Sequence, residues 1–94
     1  MNTLSNLARA YGKLGLPEKH REYAERALRI QENHYPLGPD GRDNAALAPT
    51  LHNVALAYEN LGDIDKAREM NERAFAIEVN HAFHSILHFK SHHI

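Results

Sequence analysis

The residue types best suited to chemistry here are histidines and carboxylates, and their spacing limits what they can do. Eight His occur in 94 residues, and four of them, His81, His84, His88 and His92, recur at intervals of three and four. At 100° per residue they share a helical arc of about 80°, opposite the apolar side chains of the same stretch. Imidazoles at i and i+4, such as His84 with His88 or His88 with His92, can hold one divalent ion between them. A lasting site wants a third ligand and acceptors behind the imidazoles, and no carboxylate shares that face. An exposed polar face is therefore the plainer reading. His81, His84, His88 and His92 stand as the metal candidates, expected to capture Zn²⁺, Ni²⁺ or Cu²⁺ in vitro, and no cofactor is expected.

The carboxylates read as surface. Glu18, Glu22 and Glu25 stand at helical spacing from Arg26 and Arg29, and such pairs aid a helix by tenths of a kcal/mol. No phosphate-cradling Gly-rich loop, nucleophile elbow or H-E-x-x-H motif is present. The absence of Cys removes disulfides, thiolate zinc sites and cysteine nucleophiles. A non-enzymatic protein is expected. Lys plus Arg is 11 and Asp plus Glu is 12, a formal net charge of -1. That balance gives no broad electrostatic reason to bind nucleic acid or an anionic membrane. Apolar runs are too short to span a bilayer, and the opening MNTLSNLARAYGK lacks the core of a signal peptide. With no Cys, these features suit a reducing, cytoplasmic setting.

The elements that must carry these residues come from a duplication. Residues 3–32 and 50–79 align without a gap at a spacing of 47, with 15 of 30 positions identical. In the first copy, Leu4, Leu7, Ala8 and Tyr11 form one helical stripe. Gly15 ends it, and Pro17 suits a first helical position. A second stripe follows through Tyr23, Ala24, Ala27, Leu28 and Ile30. The second copy repeats this with Leu51, Val54, Ala55 and Tyr58, then Gly62, then Ala67, Met70, Ala74, Phe75 and Ile77. Asp63 is the natural N-cap of its second helix. Short side chains at Ala8, Ala27, Ala55, Ala67 and Ala74 let antiparallel helices approach, while Tyr11 and Tyr58 fill toward the next helix. His20 stands where the second copy has Ala67, which predicts a first hairpin that is splayed or less tightly packed. Between the copies, Pro36, Gly38, Pro39 and Gly41 forbid helix. Asp43 is expected to cap a lead-in turn over 44–48, with Pro49 either at a kink, the favoured reading, or at the first position of a fresh helix.

The motif L-x-x-[LV]-A-x-x-Y-x-x-x-G, followed by an Ala-rich helix ending A-[LF]-x-I, resembles the tetratricopeptide repeat. The Gly38-Pro39-Asp40 element in the loop is similar to the kinesin light chain variant. The resemblance implies an all-α fold of two helical hairpins. We expect a single domain over 1–94, with repeat one at 2–33, a loop at 34–48, repeat two at 49–80 and a closing helix at 81–93. Ala82, Phe83, Ile86, Leu87 and Phe89 would lay that helix over the end of the second hairpin.

The resemblance also implies a concave groove lined by the first helix of each unit, taking a peptide or a partner helix. Its positions here are Ser5, Asn6, Arg9, Gly12 and Lys13, with His52, Asn53, Leu56, Glu59 and Asn60 as the second-unit set. Asn6 and Asn53 are expected to form a ladder of amides that can both donate to and accept from a peptide backbone. Two units are fewer than repeat arrays usually need. Leu4, Leu7 and Tyr11 begin almost at residue 1, so the chain is expected either to be a fragment of a longer array or to self-associate through an uncapped N-terminal face. The alternative to an adaptor is a self-assembling or metal-responsive helical module using the His face.

Overall fold

The computed structural model describes residues 2–92. They form four helices: α1 (Asn2–Lys13), α2 (Pro17–His34), α3 (Leu47–Asn60) and α4 (Ile64–His92). Glycine sets both turns. Gly15 (φ 77°) and Gly62 (φ 83°) sit in the left-handed region, where a side chain is strained. Each turn closes with the same pair of bonds. Leu16 N–H donates to Tyr11 O at 3.0 Å and Gly15 N–H to Gly12 O at 3.1 Å. In the second unit Asp63 N–H donates to Tyr58 O and Gly62 N–H to Glu59 O, both at 2.9 Å. The duplication is thus exact down to its backbone caps. Pro17 opens α2, where its missing N–H costs nothing. Asp63 Oδ1 accepts from Lys66 N–H at 3.2 Å and caps α4 as the sequence predicts.

The core is built on α3, which packs against α2 on one side and α4 on the other. Leu47, Leu51 and Val54 are at most 1% exposed, among Ala8, Ala24, Leu28, Ala48, Ala74 and Ile77. Each such aliphatic side chain contributes roughly 1.5–3 kcal/mol on burial. Tyr23, Tyr58 and Met70 pack against the cluster from its edge.

Four expectations change. The first hairpin does not splay: His20 is buried, and the space it needs is supplied by Gly12. A Cβ at Gly12 would lie 2.6 Å from His20 Nδ1. The equivalent pair in the second unit is Glu59 and Ala67, so bulk has moved from one helix to the other. Second, Asp43 does not cap the lead-in. Arg73 takes its carboxylate, and Asn44 Oδ1 accepts from Ala46 N–H at 2.8 Å instead. The lead-in turn itself forms, through Leu47 N–H to Asn44 O and Ala48 N–H to Ala45 O. Pro49 falls at the third position of α3, where no helical bond is lost. Third, no separate closing helix covers the second hairpin. α4 runs unbroken from Ile64 to His92, because nothing between Val79 and Phe83 breaks a helix. Ile86 and Leu87 are exposed on it, and the side chain of Phe89 lies outside the described ones. Fourth, Phe75 is 66% exposed rather than buried.

Candidate functional site

Arg9 and Lys13 stand one turn apart on α1, and Leu56 and Asn60 one turn apart on α3. The two pairs face one another because α1 and α3 are the first helices of equivalent hairpins. Together with Gly12 and His20 they line a concavity of about 310 Å³. Its floor is set by the close approach of Gly12 to His20. A side chain at position 12 would fill part of that space.

His20 is locked from below. Its Nε2–H donates to Asn53 Oδ1 at 2.8 Å across 33 residues, tying α2 to α3. His20 Nδ1 and Asn53 Nδ2 have no hydrogen-bond partner among the described residues, although both are buried. Above them the rim is cationic. Arg9 and Lys13 have no ion-pair partner among the described residues, and Leu56 is 47% exposed between the polar groups. The site therefore offers two unneutralised cations, an amide and an apolar contact in one depression.

The remaining predicted groove residues are placed differently. Ser5 is half-buried and Asn6 exposed, while Asn53 is buried. The two amides therefore do not present alike: Asn53 is spent on His20 and Asn6 faces solvent. His52 turns away toward α4, with Nδ1 3.1 Å from Asn71 Oδ1 and Nε2 3.2 Å from Glu78 Oε1. Gly12 lines the hollow as the sequence predicts, while His20 as its floor is not foreseen there. The signal available was the paired departure of the two units, Gly12 for Glu59 and His20 for Ala67.

A second concavity, of about 410 Å³, lies between the loop and α4, lined in part by Asp40, Arg42, Asp43, Arg73 and His81. Its charges satisfy one another. Arg73 Nε and Nη2 donate to the two oxygens of Asp43, both at 2.9 Å, and Nη2 lies 3.0 Å from Glu32 Oε2. The bond from Arg73 holds the Asp43 carboxyl below its usual range, against the opposing effect of burial. Asp43 and Glu32 raise Arg73 in turn. This arrangement fastens the loop to α2 and α4. It leaves no group primed for proton transfer.

Of the metal candidates, His81 is exposed on α4, and the side chains of His84, His88 and His92 lie outside the described ones. Among the described residues no three His, Asp or Glu side chains converge on a point that could hold an ion. No helix among them is long and apolar enough to cross a membrane. Compared with known protein families, the chain matches the family described as tetratricopeptide repeat over residues 1–43 and 47–78. Searches of curated proteins and of solved structures returned no match.

Proposed function

Because the chain belongs to the tetratricopeptide repeat family, whose repeats generally mediate protein–protein interaction, we propose that its concave face binds an extended peptide segment of a partner protein. The observation that carries this reading is the depression between α1 and α3, where Arg9, Lys13, Leu56 and Asn60 converge. An acidic side chain of the peptide would meet Arg9 and Lys13, and an apolar neighbour would cover Leu56. The Asn60 amide can both donate to and accept from the peptide backbone. Asn6 and Ser5 extend the same face toward the start of α1. Nothing positive points to catalysis, and the family is typically non-enzymatic. Our reading of the loop element Gly38-Pro39-Asp40 as kinesin light chain-like, and of a cytoplasmic setting, belongs to this proposal.

The test is binding to a library of fluorescent peptides that varies acidic and apolar content, read by anisotropy. Selected peptides should carry an acidic residue, and their affinity should fall with rising salt. Arg9→Ala combined with Lys13→Ala should weaken binding at least ten-fold, since bonds to charged groups contribute about 1.5–3 kcal/mol each. Equal affinity in a folded double variant would move the site off this face.

A further inference from the structure

The joint between the two units serves as a template for what the outer faces can receive. Within the chain, α3 seats on α2. Positions on α3 that this buries have equivalents on α1, 47 residues earlier, that are open. Val54 is 1% exposed and its equivalent Leu7 is 40% exposed; Ala57 is buried and Ala10 is exposed. The receiving side shows the converse. Leu28 is 8% exposed whereas its equivalent on α4, Phe75, is 66% exposed, and buried Ala24 corresponds to exposed Asn71. Phe75 and Asn71 line an open depression of about 570 Å³ with Ile64, Ala67 and Glu72. Among the described residues, then, a plug-like face on α1 and a socket-like face on α4 are left uncovered.

A polar latch is duplicated with them. In the internal joint Tyr58 O–H donates to Glu25 Oε1, and Glu25 is steadied by Arg21 at 3.6 Å. The free plug keeps the donor as Tyr11. The free socket keeps the acceptor as Glu72, steadied by Arg68 at 3.5 Å. Tyr11 is already held by stacking on Tyr23, with ring centroids 5.3 Å apart, and Tyr58 packs against the edge of the core. One contact is not copied: Asn6 would meet Ala67 where Asn53 meets His20. The outer joint is therefore weaker than the inner one.

We propose that copies of this chain associate head to tail, α1 of one copy seating on α4 of the next as α3 seats on α2 within each. Such a joint uses two different faces, so it does not close on itself and grows with concentration. It does not use Arg9, Lys13, Leu56 or Asn60 of the peptide site, and its test needs no peptide.

Sedimentation equilibrium over micromolar to millimolar protein provides that test. The native chain should rise from 10.7 kDa past two copies. Leu7→Glu, which spoils the plug, and Phe75→Glu, which spoils the socket, should each stay monomeric. Mixed in equal amounts, the two variants should pair and stop at a dimer, since one intact plug and one intact socket remain. Tyr11→Phe should raise the dissociation constant about ten-fold. Both Glu variants alter exposed positions, and circular dichroism checks their fold. Ala10→Arg and Asn71→Arg form a second plug-and-socket pair, subject to the same expectations. A native chain that remains monomeric overturns the proposal. So does association that survives either variant, a mixture that stays monomeric, or a Tyr11→Phe constant equal to the native one.

Discussion

Gly12 and His20 form a matched pair, and the match is what lets an imidazole sit where the second unit has a methyl group. Gly12→Ala places a carbon 2.6 Å from His20 Nδ1, backed by a side chain already pinned to Asn53. We expect a loss of about 1–3 kcal/mol, the usual cost of overpacking, read from urea unfolding. Adding His20→Ala should recover part of that loss, because it removes the clash while leaving buried Asn53 Oδ1 without its donor. A double variant no more stable than Gly12→Ala alone would show that the clash is relieved elsewhere. The sequence displayed half of this arrangement. His20 against Ala67 stood out in the alignment of the units, but its partner Gly12 lies on the other helix. Which residue absorbs the bulk depends on the register between α1 and α2, and periodicity does not specify that register. For the same reason Asn53 looked equivalent to Asn6 along the chain, yet only one of them has a helix packed over it.

At the scale of elements, the helices and their turns were legible because each rests on local chemistry: Gly15 and Gly62 as left-handed caps, Pro17 at a helix start, Asp63 as an N-cap. The loop was less so. Asp43 and Asn44 are both good caps, and the choice between them is made by Arg73, 30 residues away. Asp43→Asn should lower stability by about 1–2 kcal/mol at neutral pH, since it forfeits a charge-assisted fork. The sign of its pH dependence follows from the depressed carboxyl. The unfolded chain takes up this proton near pH 3.9, before the folded one does. The contribution is therefore complete above that value and is lost as pH falls through the lower folded value. Urea midpoints of the native chain and Asp43→Asn should converge across that acid window. Equal midpoints at neutral pH would mean the fork contributes nothing to the loop. α4 misled for another reason: an apolar helical pattern reports amphipathicity but not whether a partner surface exists. Ending the chain after His81 should remove helical signal by circular dichroism while leaving the melting temperature within a few degrees. A large drop would show that the far half of α4 supports the hairpins after all.

At the scale of the molecule, the duplication fixes a short solenoid with a cationic hollow on its concave side and dissimilar ends. The shape is long: its principal extents are 53 × 25 × 21 Å and its radius of gyration is 15.2 Å, against about 12 Å for a compact chain of this length. Most of that length is α4, whose 29 residues rise about 43 Å. Rotational diffusion is therefore anisotropic, with slow end-over-end tumbling and faster spin about the long axis. Amide N–H vectors of a helix lie nearly along its axis, so those of the rigid part of α4 sense mainly the slow mode. Their nitrogen transverse relaxation should be faster than that of any amide whose N–H lies across the long axis. The ratio of longitudinal to transverse relaxation along the chain then gives the orientation of each helix to the diffusion tensor, with no partner or ligand needed.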